Sequence, residues 1–189
     1  MADIKDPNNP NELPARGPDR TSERRRSAGG PGPNLLFLRD EELRQGIELL
    51  FYGYRDFISD PDEVLQKMNY GRAHHRVIHF VGRNPDLTVA ELLNILRITK
   101  QSLSRVLKQL VEDGYIEQKA GTRDRRQRLL RLTPAGEKLE HDLSEPQRAR
   151  MARAYREAGP EAVAAFRDVL AGLINEEDRD QVLASIAKE

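Results

Sequence analysis

Residues 88–112 hold two short apolar stripes, each at helical spacing, separated by little more than Arg97 and Ile98. In the first, Val89, Leu92, Leu93 and Leu96 stand at i, i+3, i+4 and i+7. Thr88 and Glu91 supply the capping box that starts such a helix. In the second, which Thr99 is placed to cap, the stripe is Leu103, Val106, Leu107, Leu110 and Val111. Two amphipathic helices joined by so few residues form a helix-turn-helix pattern.

The second helix has two unlike faces. Its inner stripe is wholly aliphatic, whereas its outer face presents Lys100, Gln101, Ser104, Arg105 and Lys108, with no acid before Glu112. A helix fits the DNA major groove, where Gln pairs with adenine and Lys or Arg with guanine. Residues near the N-terminal end reach base edges, which points to Lys100, Gln101 and Ser104. Arg105 and Lys108 suit phosphate contacts. Taken alone, the same pattern also describes an ordinary solvated surface helix.

The segment after that helix narrows the choice. Gly114 ends the helix, and residues 115–119 and 128–132 are short strand candidates flanking a polar bend at 121–124: a two-stranded wing. Arg123, Arg125, Arg126, Arg128 and Arg131 place five arginines in nine residues, opposed locally by Asp124 alone. The chain has a formal net charge of zero, yet residues 97–131 carry ten Lys/Arg against four Asp/Glu, so the remainder is equally negative. A basic block in a neutral chain suggests one face for a polyanion. Arginine favours narrow, negative minor grooves and also forks onto phosphates, and Asp124 then positions one of the arginines.

Residues 1–33 hold six of the eleven prolines and the run Arg24-Arg25-Arg26 without periodicity, and read as a disordered arm. A helix is expected from Asp40, its N-cap, with Leu43, Ile47, Leu50, Phe51, Tyr54 and Phe57 on one stripe. A second should start at Asp60-Pro61, with Asp60 as cap. A third spans residues 72–81, with Val77, Ile78 and Val81 inward, and Asn84-Pro85-Asp86 is a turn. Thr133-Pro134 caps a long helix to about Ala158, with a kink at Pro146. Helical stretches at 161–174 and 176–187 complete the chain.

Several function classes find no support. Cysteine is absent, which removes disulfides and thiolate metal sites and suits a reducing cytoplasm. No apolar run approaches the ~18 to 20 residues that span a bilayer, and the N-terminus lacks a signal-peptide pattern, so a soluble cytoplasmic protein without a membrane partner is expected. Nucleophile-elbow, zincin and P-loop motifs are lacking, so no enzyme is expected and no catalytic residue is assigned. His75 and His79 share a helical face, but their local partners are arginines; packing or an interface explains them better than a metal, and no cofactor is expected.

The segments Leu87-Thr88-Val89-Ala90-Glu91-Leu92, Thr99-Lys100-Gln101-Ser102-Leu103-Ser104-Arg105, Gly114-Tyr115-Ile116 and Asp124-Arg125-Arg126 through Leu132-Thr133-Pro134-Ala135-Gly136 resemble the MarR family of winged-helix regulators. The likeness runs from about Asp40 to the C-terminus, and its most specific part is the D-x-R wing followed by L-T-x-x-G. Residues 71–76 are similar to an alphaproteobacterial branch of that family. The resemblance implies a mainly α fold with a small β-wing: a winged helix at about 71–133 within a domain of 34–189, and dimerisation helices at about 38–58 and 134–188. It implies a homodimer that reads a pseudo-palindromic site in double-stranded DNA, with Thr99, Lys100, Gln101, Ser104, Arg105 and Lys108 at the major groove and Arg125 and Arg126 on the wing.

Members of the family often bind a small effector between the dimerisation helices and the DNA-binding lobe. In this chain Phe51, Tyr54, Arg55, His74 and His75 would line that crevice and suit a small aromatic or acidic molecule, although core or interface packing accounts for Phe51 and Tyr54 at least as well. Two departures stand out: Arg97 occupies a turn position where the family often has glycine, and the proline-rich arm has no family counterpart. A protein-interaction scaffold and a non-specific nucleic-acid binder are the alternatives; a scaffold would call for an apolar patch where Lys100, Gln101 and Ser104 stand.

Overall fold

The computed structural model describes residues 35–121 and 126–187, so the N-terminal arm lies outside the described residues. The chain divides into two units, Met1–Leu43 and Arg44–Glu189. In the first, a 3-10 turn at Leu35–Leu38 precedes helix α1, Asp40–Ser59. The Leu43 amide donates to the Arg39 carbonyl at 3.0 Å, so Arg39 takes the capping place expected of Asp40.

Beyond α1, the second unit runs through α2 (Asp62–Lys67), α3 (Arg72–Arg83), β1 (Leu87–Thr88), α4 (Val89–Leu96) and α5 (Lys100–Glu112). It continues with β2 (Ile116–Ala120), β3 (Arg128–Leu132), α6 (Pro134–Ala158), α7 (Pro160–Leu173) and α8 (Glu176–Ile186). Helix α6 runs through Pro146 without ending. The cap of α2 is Pro61, with no side-chain cap bond. Asp60, expected to cap it, instead accepts two hydrogen bonds from Arg150 at 2.7 and 2.6 Å, which fasten the segment after α1 to α6.

The sheet has the antiparallel order β1-β3-β2. Ile116 stands opposite Leu132 and Ala120 opposite Arg128 in the hairpin, while Leu87 and Thr88 add to the other edge of β3. The two-residue strand β1 is not expected from the sequence, because Leu87-Thr88 also reads as the lead-in to a capped helix.

The core lies where α3, α4, α5 and α6 meet this sheet. Val77, Ile78, Val81, Leu92, Leu103, Leu110, Leu130 and Leu143 are essentially inaccessible to solvent. Burial of each such side chain stabilises the fold by roughly 1.5–3 kcal/mol. Val111, placed inward by its spacing, sits at the edge of the α5 stripe and is exposed.

Helices α2 and α5 end alike. The Tyr70 amide returns to the Leu65 carbonyl and Asn69 to Gln66, with Asn69 at φ 56°. Likewise Tyr115 returns to Leu110 and Gly114 to Val111, with Gly114 at φ 77°. Both are left-handed caps, and each delivers a tyrosine immediately afterwards. At the start of α6, a Cβ on Gly136 would lie 2.1 Å from the Tyr115 carbonyl oxygen, which explains the glycine of L-T-x-x-G.

Candidate nucleic-acid interface

Local bonds set both helices of the helix-turn-helix. The Glu91 amide donates to Thr88 Oγ1 at 3.2 Å, and the Thr88 amide to Glu91 Oε2 at 2.8 Å, closing the box at the start of α4. Arg97 then takes the left-handed conformation, φ 49° and ψ 41°, that glycine would adopt without strain. Arg97 thus accepts a left-handed backbone in place of glycine, and its guanidinium pairs with Asp178 of α8. The Thr99 hydroxyl accepts from the Ser102 amide at 3.2 Å and donates to Ser102 Oγ at 2.9 Å. Thr99, a candidate DNA contact, is therefore occupied in starting α5.

Helix α5 buries Leu103, Val106, Leu107 and Leu110 and exposes Lys100, Gln101, Ser104, Arg105 and Lys108. Among the described residues Lys100 and Arg105 make no ion pair, and Lys108 makes only a 3.7 Å approach to Glu112 between two well-exposed side chains. Such a contact restrains a lysine little. The outer face remains available to an anionic surface. Beside it, Val89, Ser104, Leu107, Lys108, Val111, Glu112 and Gln118 line an open groove of about 410 Å³ between α4, α5 and β2.

In the wing, the Gly121 amide donates to the Gln127 carbonyl at 3.0 Å and closes the hairpin. Arg123, Asp124 and Arg125 lie outside the described residues, and with them the suggested role of Asp124. Arg126 and Arg128 are exposed. Arg131 is different: its guanidinium forks onto the Asp86 carboxylate, with Nε 2.5 Å from Oδ1. The bond to Arg131 holds the Asp86 carboxyl below its ordinary range, and Asp86 raises Arg131 in return. The five wing arginines are thus not all unopposed. The opposing acid stands 45 residues upstream, brought in by the unforeseen β1–β3 pairing.

The five candidate effector residues are directed to different partners. Phe51 is 61% exposed on α1. Arg55 pairs with Asp56 and lies 4.9 Å over the Tyr52 ring. Tyr54 accepts a hydrogen bond from Arg76 at 3.1 Å, so Arg76, not foreseen, is the cation that α3 offers to α1. His74 instead stacks on Tyr70 and meets Gln109 of α5 at 3.0 Å. His75 is buried, its Nε2 has no hydrogen-bond partner among the described residues, and burial pushes its pKa down. His79 Nδ1 lies 3.2 Å from Glu140 Oε1; burial pushes that carboxyl up, but bonds from Ser144 and His79 outweigh it and hold it low.

Tyr70 and Asp113 also emerge only from the structure, joined by a 2.6 Å hydrogen bond across 43 residues. Burial first, and then this carboxylate, raise the Tyr70 phenol well above its ordinary range. No helix among the described residues is long and apolar enough to cross a membrane.

The sequence pattern of the MarR family matches residues 69–127. The chain is 55% identical over 148 residues to the HTH-type transcriptional regulator PetP of Rhodobacter capsulatus, covering 78% of this chain and 89% of that protein. Its backbone is similar to that of the MarR family regulator SP03579, with a TM-score of 0.61 and 19% identity over 79% of this chain and 95% of the other. It is also similar to NadR, solved in complex with 4-hydroxyphenylacetate, with a TM-score of 0.58 and 26% identity over 66% of this chain and 88% of that one.

Proposed function

Because the chain belongs to the MarR family of transcriptional regulators, we propose that it acts by binding promoter DNA as a homodimer. Helix α5 enters the major groove, where Lys100, Gln101 and Ser104 read base edges and Arg105 and Lys108 meet phosphates. Wing residues Arg125 and Arg126 reach the adjacent minor groove. Two copies meet half-sites roughly 10 bp apart, centre to centre.

The observation that carries this reading is the outer face of α5: a row of exposed polar and cationic side chains on a helix whose opposite face buries Leu103, Val106, Leu107 and Leu110. A protein-docking helix would present apolar groups there. Dimerisation draws support from Ile47 and Phe51 of α1 and from Val169 and Leu173 of α7, all exposed in the single chain. A small aromatic acid is the effector that best suits the Tyr54–Arg76 pair between α1 and α3. NadR, whose structure holds 4-hydroxyphenylacetate, offers a parallel for that ligand class.

The test is Gln101→Ala measured on the preferred site and on random DNA. The expected loss is about 1–3 kcal/mol on the preferred site and little on random DNA. Equal losses on both would remove the base-reading role.

A further inference from the structure

We propose that Tyr70, His74 and Asp113 are positioning residues that latch the C-terminal end of α5 and so set its angle for reading sequence. This inference rests on the DNA-reading role of α5 proposed above.

The latch is made from two helix ends. The left-handed caps of α2 and α5 bring Tyr70 and Tyr115 edge to face, ring centres 6.1 Å apart. From there the buried Tyr70 hydroxyl donates to Asp113 Oδ2 at 2.6 Å. Asp113 is the C-cap of α5, where a carboxylate opposes the helix dipole. The helix alone gains nothing from an acid there; a short, charge-assisted bond to Tyr70 accounts for it.

His74 supplies the second point. Its ring lies parallel to that of Tyr70, 4.5 Å away with a 4° interplanar angle. The Gly71 amide, which can only donate, reaches His74 Nδ1 at 3.1 Å. Nδ1 must therefore be the acceptor, which leaves the proton on Nε2, 3.0 Å from Gln109 Oε1. Gln109 and Asp113 stand one turn apart on one flank of α5, so α3 and the turn before it grip the helix twice on that side.

None of these groups belongs to the outer face of α5. The helix has 13 residues and is about 20 Å long at its standard rise. A tilt of about 3° at the latched end therefore displaces Lys100 and Gln101 by about 1 Å, enough to spoil a base-edge hydrogen bond. Loss of the latch should lower sequence discrimination while leaving the number of phosphate contacts nearly unchanged.

The experiment uses the full chain and compares wild type with Asp113→Ala, Tyr70→Phe, the double variant, His74→Ala and His74→Gln. It reads three quantities: the ratio of affinities for the preferred site and random DNA at one salt concentration, the salt slope, and hydrogen exchange in the last turn of α5 without DNA. Asp113→Ala and Tyr70→Phe should each lower the ratio fivefold or more and speed exchange, with the salt slope unchanged. The double variant should be no worse than the worse single one, because both remove the same bond.

His74→Gln, whose amide both accepts and donates, should restore discrimination that His74→Ala loses. Ratios and exchange rates within twofold of wild type in Asp113→Ala would overturn the latch, and so would additive losses in the double variant. Asp113 is exposed, so that variant decides the matter even where Tyr70→Phe fails to fold. A wild type without site preference would sink the DNA-reading role itself. The exchange measurement would still decide whether Tyr70 and Asp113 hold α5.

Discussion

Helices α3 and α5 each bury four residues, whereas α1, α7 and α8 bury none. The first group packs against the sheet and α6 and satisfies its apolar stripes within one chain. The second leaves Ile47, Phe51, Val169, Leu173 and Ile186 at 60% exposure or more. A winged helix that buries its own apolar stripes is thus followed by terminal helices with uncovered apolar surface, the surface on which the proposed dimer rests. If the proposed dimer forms through those helices, stability of the two regions should respond differently to protein concentration: not at all in the lobe, and steeply in the terminal helices.

The largest expected effect that separates them is Leu110→Ala. Leu110 is fully buried, so truncation should cost about 2–5 kcal/mol by urea unfolding, and the cost should not vary with protein concentration. A concentration-dependent cost would mean that the lobe depends on the dimer. Next comes Ile47→Asp, which leaves the lobe core untouched. Sedimentation should show a dimer weakened about 10- to 100-fold, or roughly 1.4–2.8 kcal/mol, with far-ultraviolet dichroism of the lobe retained. Unaltered dimerisation would remove α1 from the interface.

Smaller effects divide the cations within the lobe. Lys108→Ala should weaken all DNA alike and reduce the salt slope by about one. Arg131→Ala should leave the slope unchanged, because Asp86 already holds that guanidinium. A reduced slope in Arg131→Ala would mean that the arginine leaves Asp86 for a phosphate.

The features legible in the sequence are those whose causes are local. Thr88 with Glu91 and Thr99 with Ser102 act within one helical turn, and the stripes of α4 and α5 repeat every three or four residues, so the helix-turn-helix could be placed closely. The hairpin was legible for the same reason. The features that remained hidden depend on long-range pairing. Asp86 finds Arg131 only because a two-residue strand joins the sheet; Asp60 leaves its expected cap for Arg150, 90 residues on; and Tyr70 meets Asp113 through two left-handed turns.

Within the candidate site, the cationic row on α5 was visible because a helix exposes what its apolar stripe does not bury. The family resemblance suggested His74 for an effector crevice, but it could not show that the ring also stacks on Tyr70 and meets Gln109. Only the packing of α3 on α5 supplies Gln109 as its partner.

The most direct measurement is a hydroxyl-radical footprint of the full chain on the DNA upstream of its own gene, at near-physiological salt. The expected result is symmetric protection of two segments about one helical turn apart, with minor-groove protection at the flanks from the wings. Uniform weak protection that disappears with modest added salt, with no preferred site among random fragments, would contradict the account and leave the charge on α5 and the wing as non-specific attraction alone.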